Sequence, residues 1–289
     1  MKKLWWMLAL AVLLAAGCGQ PKQKVVVETD LPPVDFSIRP PAETLEFSVE
    51  GSMIMEVMGT SMDNFFRFNW RASRWKEEGD SVRTVDVRFS DVQATERRGQ
   101  TATPETIKSF DRLEGYSTRF RLDSDGFEPM SDPARDGEFM QAFSMLTQGL
   151  STLDFRWPER PMAPGESWEE IVSREDLGQM GVVAADSVIM LTYTGNTRYK
   201  RRDCARVEFK LDIPIDGEMQ QGPATSRLTG SILSEGAGLY DPELGFFVFL
   251  RNSSTTKIKG VDFDEDGKQM GGEKSFSQTG NMEITYLGL

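Results

Sequence analysis

Acidic residues recur at alternate positions near the C-terminus, with a spacing that suits a hard cation. Asp262, Asp264, Asp266 and Gly267, followed by Glu273, fit the calcium-loop pattern D-x-D-x-D-G-x5-E. In such a loop the carboxylates converge on one Ca²⁺, the glycine allows a sharp turn, and the last glutamate binds through both oxygens. These four carboxylates are the candidate metal ligands, and we expect no cofactor other than calcium.

The surroundings of this loop leave two interpretations open. Gln269 occupies a position where an EF-hand carries an apolar residue, and Gly271 and Gly272 loosen the loop. Both flanks show a strand pattern, whereas an EF-hand requires helices. We therefore expect either a calcium loop within a β hairpin or a solvated acidic turn.

Four methionines lie close together at Met53, Met55, Met58 and Met62, and methionine clusters can bind copper(I). No histidine or cysteine accompanies them, and the first two share one face of a predicted strand. We therefore expect them to pack against other apolar side chains.

Two Ser-x-x-Lys tetrads, Ser73 to Lys76 and Ser254 to Lys257, match the nucleophile motif of penicillin-recognising enzymes. The companion motifs Ser-Asp-Asn and Lys-Thr-Gly are absent from the sequence, and neither tetrad begins a predicted helix. We attribute both tetrads to chance.

The sequence contains no histidine, which removes the usual general base and the commonest transition-metal ligand. A Ser-His-Asp triad, a Cys-His pair and an ordinary catalytic zinc site are therefore excluded. A pair of carboxylates can hydrolyse glycosides, but the sequence does not supply the separation that this chemistry requires. We expect no enzymatic activity.

Four tryptophans, Trp70, Trp75, Trp157 and Trp168, are candidates for a sugar- or lipid-binding surface. Their rings combine an apolar face with a polar edge. Packing in the core or on a sheet face is the alternative interpretation.

The N-terminus has the pattern of a secretory signal peptide, residues 1–17. Lys2 and Lys3 precede an apolar run of about 13 residues, too short for the ~20 residues of a membrane-spanning helix. The segment from Leu14 to Cys18, Leu-Ala-Ala-Gly-Cys, resembles the lipobox of bacterial lipoproteins, whose peptidase cleaves before an acylated cysteine. The resemblance implies that Cys18 is lipidated and anchors the chain to a membrane.

The residue after the lipidated cysteine and the net charge bear on location and partners. Gly19 replaces the aspartate that signals inner-membrane retention in many Gram-negative lipoproteins, so we expect the outer membrane if the source is Gram-negative. Loss of residues 1–17 removes two lysines and no acids, so the formal charge changes from −12 to −14. Such a surface repels phosphate backbones, and we expect no nucleic-acid partner.

Cys204 is the only cysteine left after Cys18, so the mature domain closes no internal disulfide. It lies in a partly alternating stretch, 201–209, which predicts a buried strand residue. A reactive thiol, with its thiolate stabilised by neighbouring arginines, is the alternative.

The chain divides into a tether and one domain. Residues 18–42 are rich in Gln, Lys and Pro, which predicts an extended linker. Residues 43–289 alternate apolar and polar positions, which predicts long antiparallel strands in a curved sheet, half-barrel or sandwich of one lobe or two. We expect strands near 45–50, 66–71, 82–89, 116–122, 184–197, 204–213, 225–240, 246–259 and 274–287.

One central helix is predicted near 133–153. Asp132 can cap it, and Pro133 suits its first position. Its apolar stripe should pack on the sheet and consists of Phe139, Phe143, Leu146, Leu150 and Leu153.

The order of strands, helix, the segment from Pro161 to Trp168 (Pro-Met-Ala-Pro-Gly-Glu-Ser-Trp) and further strands resembles uncharacterised β-rich bacterial lipoproteins over about 43–289. This resemblance implies no known activity. In architecture alone, a long-stranded sheet around a helix is similar to the periplasmic carriers that hold acyl chains in a half-barrel.

We expect a lipid-anchored envelope lipoprotein that acts as a non-enzymatic partner-binding or structural domain. The alternative is a periplasmic carrier that holds an apolar, lipid-like ligand in a cavity between the sheet and the helix. The two differ in whether the fold encloses an apolar cavity or a filled core.

Overall fold

The computed structural model describes residues 32–36, 44–57, 59–77, 83–99, 101–123, 126–130, 160–172, 186–221 and 224–288, together with positions 139, 143 and 158. The predicted signal peptide, Cys18 and most of the predicted tether lie outside these residues.

Among the described residues, twelve strands and one four-residue helix have assigned bounds. Their bounds are β1 (Leu45–Val57), β2 (Thr60–Glu77), β3 (Arg83–Arg98), β4 (Glu105–Thr106), α1 (Lys108–Asp111), β5 (Ser117–Asp123), β6 (Gly126–Pro129), β7 (Ser167–Val172), β8 (Ser187–Tyr199), β9 (Arg202–Gln221), β10 (Ala224–Asp241), β11 (Phe246–Phe263) and β12 (Gln269–Tyr286). The predicted antiparallel, mainly β fold is confirmed. Most strands are longer than their predicted cores, and β9, with 20 residues, extends for about 60 Å.

All strands belong to one antiparallel sheet, in the order β6-β5-β3-β2-β1-β12-β11-β10-β9-β8-β7, with β4 beside β3. Two meanders, β1 to β6 and β7 to β12, meet where β1 pairs with β12. The outer strands β6 and β7 do not pair with each other within the described residues, so the sheet is open.

The segment 32–36, which we predicted as part of the tether, packs into this domain. Val34 forms two backbone hydrogen bonds with Met162, of 2.8 and 2.9 Å, and Phe36 is 1% exposed. The Phe36 ring centroid lies 5.5 Å from that of Trp168 on β7 and 5.1 Å from that of Tyr240 on β10. These strands would lie ~14 Å apart in a flat sheet, so their rings converge on the inner side of a curved one.

Two residues of the predicted helix 133–153 are described, Phe139 and Phe143. Both are helical and buried, with ring centroids 6.1 Å apart. Both rings pack edge-on against Tyr116, and Phe143 also contacts Phe89 on β3. This part of the helix therefore packs on the first meander, and its other residues lie outside the described chain.

In the part of the chain that the structure describes, we find no helix with the length and apolarity that a membrane crossing requires.

Glycines on the inner face provide space for aromatic rings of neighbouring strands. Gly51 lies opposite Phe66, and a Cβ at Gly51 would fall 2.1 Å from Cζ of that ring. Gly236 has the same relation to Phe209, with 2.3 Å between the added Cβ and Cζ. Because the rings occupy the volume above glycine, even a methyl group at these positions displaces an aromatic side chain.

We expect Gly51→Ala to lower the free energy of unfolding by about 1–3 kcal/mol, because the new Cβ overlaps the Phe66 ring. The matched control is Gly272→Ala on exposed β12, where an added Cβ meets nothing within 4 Å; its effect should stay within about 0.5 kcal/mol. Urea unfolding followed by circular dichroism measures both. Equal losses in the two variants would contradict the close packing at Gly51.

Candidate functional site

A band of polar residues crosses the inner face of the sheet, and cross-strand register assembles it. One row of directly opposed residues runs from β1 to β9, and side chains opposite one another share a sheet face. This row consists of Met55, Gln278, Thr256, Ile232 and Ile213. All five side chains are buried, and Thr256 is 0% exposed.

The next row contains three small residues side by side. It consists of Met53, Gly280, Ser254, Ser234 and Leu211, again in direct register from β1 to β9. Gly280, Ser254 and Ser234 lie on three adjacent strands, between the larger Met53 and Leu211.

Two of the three hydroxyl groups in these rows have no hydrogen-bond partner in the described part of the chain. The hydroxyl of Ser234 donates to Oδ1 of Asn252 over 2.8 Å. In contrast, Oγ of Ser254 and Oγ1 of Thr256 are buried with no hydrogen-bond partner among the described residues. An unpaired buried polar group costs ~1–3 kcal/mol, so each hydroxyl is ready to bind a polar group from outside the chain. We call Ser234, Asn252, Ser254, Thr256 and Gln278 the polar band.

An apolar cluster adjoins the polar band on the side away from the main core. Its buried members are Leu211, Ile213, Ile215 and Ile232. Half-buried apolar side chains extend it along the long strands, namely Ile189, Met219, Leu228 and Ile258. The inner face thus carries hydrogen-bonding groups beside a hydrocarbon surface, the arrangement that an amphipathic ligand requires.

Sequence reasoning missed this site, although β11 carries a readable signal. Leu250, Asn252, Ser254, Thr256 and Ile258 alternate in phase on this strand. Three polar residues therefore occupy positions that the apolar phase assigns to the inner face. The sequence does not show which residues of β10 and β12 lie beside these three, because that depends on the register between the strands.

The predicted calcium residues lie in and beside the β11–β12 hairpin. Asp264 Oδ1 accepts the backbone N–H groups of Asp266 and Lys268, at 3.1 and 2.8 Å. Asp262 accepts hydrogen bonds from Lys274 and Ser226, and these bonds, the Lys274 one foremost, lower the pKa of its carboxyl.

Glu273, the fourth predicted ligand, pairs with Lys259, whose Nζ lies 2.8 Å from Oε1. Among the described residues, no group of three or more His, Cys, Asp or Glu side chains is placed to hold a metal ion. The loop joins two strands of a β hairpin, which both interpretations of the sequence allow, and calcium binding there stays a prediction.

Methionines and tryptophans named as candidates pack against apolar neighbours where they are described. Met53 and Met55 form a small cluster with Met62 and Phe276, while Met58 is outside the described residues. Trp70 stacks on Phe47, with 4.5 Å between centroids. Trp75 and Trp168 are half-buried against the main core, and Trp157 is outside the described residues.

The remaining sequence candidates lie on strands. Both Ser-x-x-Lys tetrads are in strands, β2 and β11. Ser254 and Lys257 are three apart in a regular strand and point to opposite faces. Neither tetrad begins a helix, and the register of β2 shifts between Ser73 and Lys76. Cys204 lies on β9, as predicted, and is 1% exposed. Burial raises the pKa of the Cys204 thiol to about 12, so the thiol is neutral at physiological pH.

A surface cleft of about 560 Å³ lies at the end of the sheet opposite the apolar cluster. Its lining comes from the β8–β9 and β10–β11 turns and includes Lys200, Arg201, Arg202 and Glu243. Arg202 Nη1 donates to the buried carboxylate of Asp241 over 2.6 Å. This charged lining does not suit an apolar ligand.

Comparisons with known proteins support the architecture alone. No protein-family model matches the sequence. No curated protein matches it either. Among solved structures, the chain is similar to lipovitellin, in a structure concerned with lipid–protein interactions. The TM-score is 0.50 at 9% identity, and the match covers 86% of this chain and 25% of the lipovitellin chain.

At this identity the similarity concerns the fold alone, and this chain spans about a quarter of the length of the lipovitellin chain. A DUF1329 family protein from Desulfovibrio piger also matches, with a TM-score of 0.12 at 9% identity over 86% of this chain and 88% of that one. A TM-score at that level carries no argument.

We expect the β11–β12 hairpin to bind Ca²⁺ with a dissociation constant no lower than about 10⁻³ M. The reason is that Ca²⁺ must displace Lys274 from Asp262 and Lys259 from Glu273. Lys259→Met/Lys274→Met should bind more tightly, since it releases Asp262 and Glu273. Isothermal titration calorimetry measures both proteins. Micromolar binding by the unsubstituted chain would contradict the ion-pair arrangement.

Proposed function

We propose that this chain is a lipid-anchored envelope protein that holds an apolar, lipid-like ligand on the inner face of its curved sheet. The observation that carries the proposal is the polar band beside the apolar cluster, where buried hydroxyls of Ser254 and Thr256 lack partners. The sheet that presents this face is similar to that of lipovitellin, whose structure concerns lipid–protein interactions. We propose that this face carries its ligand without transforming it.

The location differs from the sheet–helix cavity that the sequence suggested. Phe139 and Phe143, the described residues of that helix, pack on Tyr116 and Phe89 of the first meander. The polar band and the apolar cluster lie on β9 to β12, in the second meander and at its junction with β1. We therefore place the ligand against the long strands of the second meander.

A partner-binding domain is the second candidate, and one surface favours it. Ile171 on β7 is 62% exposed and lies opposite Val188 on β8, which is 42% exposed. Met190 on the same outer face is also exposed. Apolar side chains at the outermost strand of a sheet suit contact with another protein.

We expect residues 19–289, purified from cells without detergent, to carry a bound mass in the lipid range in native mass spectrometry. Ser254→Trp should remove that mass, because the large ring fills the row of small residues at Gly280, Ser254 and Ser234. Ser253→Trp, on the outer face of the same strand, is the matched control and should keep the bound mass.

Circular dichroism of both tryptophan variants separates loss of the ligand from loss of the fold. A clean apo mass for the unsubstituted protein would overturn the carrier proposal. The exposed β7–β8 surface would then carry the function.

Anchoring through Cys18 is the other part of the proposal, and the lipobox-like segment supports it. We expect Cys18→Ala to move the protein from the membrane fraction to the soluble fraction of cells, because two or more acyl chains are needed for firm membrane attachment. Mass spectrometry of the mature N-terminus should show an acylated Cys18. An unmodified or uncleaved N-terminus in the unsubstituted protein would contradict lipidation.

A further inference from the structure

The polar band carries hydrogen-bond donors and no charge. Its five members are serine, threonine, asparagine or glutamine, and the other members of its two rows are apolar or glycine. The buried apolar cluster beside it is also uncharged. A charged group buried here would find no counter-charge among the members of these rows and this cluster, at a cost far above that of a neutral, hydrogen-bonded group. The polar part of a ligand at this site is therefore neutral.

The unpaired groups are hydroxyls, which can donate to an uncharged acceptor. Ser254 and Thr256 stand two residues apart on one strand and one face, about 7 Å from each other along β11. A carbonyl oxygen has two lone pairs and accepts a hydrogen bond from either hydroxyl. An ester carbonyl is uncharged and accepts hydrogen bonds, so it meets both requirements.

The apolar cluster gives the direction of the hydrocarbon part. Ile232 and Ile213 lie in the Thr256 row, and the next inner positions outward are Ile258, Gly230 and Ile215. A Cβ at Gly230 would fall 2.0 Å from the Lys257 carbonyl oxygen, so only glycine fits there and no side chain projects from this position. An alkyl chain that starts at Thr256 can therefore run between Ile258 and Ile215.

We propose that the inner face binds a neutral acyl ester of the acylglycerol class. Its ester carbonyl accepts a hydrogen bond from Ser254 or Thr256, and its chain lies along the apolar cluster. This inference rests on the function proposed above and narrows the class of ligand.

Three probes with the same alkyl chain test the ligand class at neutral pH: monoolein as the neutral ester, oleate as the carboxylate, and the corresponding alkene as the bare hydrocarbon. Each is titrated into delipidated residues 19–289 and the bound complex is counted by native mass spectrometry. We expect monoolein to bind most tightly, because it alone supplies a neutral acceptor together with the chain.

Paired double variants test the hydroxyls. Ser254→Ala/Thr256→Val should weaken monoolein binding about tenfold and leave alkene binding unchanged, since it removes both hydroxyl donors and nearly keeps the side-chain volumes. Ser253→Ala/Thr255→Val makes the same changes on the outer face of the same strand. This control should leave the binding of all three probes unchanged.

The outcomes separate this inference from the proposed function. If no probe binds the unsubstituted protein, the carrier function is overturned and this inference with it. If the probes bind equally and the inner-face double variant has no effect, the carrier function stands and the assignment of Ser254 and Thr256 is overturned. Oleate binding as tight as that of monoolein would overturn the neutral ligand class.

Discussion

The pairing of β1 with β12 is the contact on which the rest of the structure depends. Eleven residue pairs, from Phe47 with Tyr286 to Val57 with Phe276, join segments from opposite ends of the described chain. This ladder makes one sheet of two meanders, and it places Met53 and Met55 in the two rows of the polar band. Closing so long a loop is entropically costly, and the buried rings of Phe47, Trp70 and Tyr286 supply apolar contacts that offset it.

Curvature follows from what the inner face contains. Bulky rings such as Phe36, Tyr193 and Tyr240 meet on the inner side of the second meander, at centroid distances of 5.1 and 5.5 Å. Glycine at positions 51 and 236 lets the rings of Phe66 and Phe209 lie directly over the backbone of the neighbouring strand. Large side chains therefore fill the inner side at one end of the long strands, whereas the row of Gly280, Ser254 and Ser234 carries only small residues on three adjacent strands.

Polar groups on a buried face have an energetic consequence. A filled core that needed only stability would carry apolar residues at Ser254 and Thr256, because each unpaired hydroxyl costs ~1–3 kcal/mol. Ser234 donates a hydrogen bond to Asn252, so only some of the polar groups on this face have a partner within the face itself. Natural chains depart from local rules mostly where function requires it, which agrees with a ligand that completes these hydrogen bonds. The acidic β11–β12 hairpin is the opposite case, since the carboxylates of Asp262, Asp264 and Glu273 are satisfied by lysines and backbone N–H groups.

The sequence by itself determined the class of fold. Alternation in segments such as 45–50 and 246–259 is a local property of the chain, so the strands and the Asp264–Gly267 turn were predictable. The exclusion of histidine-dependent catalytic and metal sites likewise followed from composition. The short strands β4, β6 and β7 were missed, because a few residues carry too little periodicity.

Only the tertiary structure decided the candidate site. Thr256 meets Gln278 on one side and Ile232 on the other through the register of three strands. Register depends on side-chain packing and turn geometry summed along whole strands, and no local pattern encodes it. The same reason explains why the segment 32–36 packs as part of the core, although the residues around it are rich in proline. Phe36 contacts rings from β7, β8 and β10, and these rings meet only when the sheet is curved.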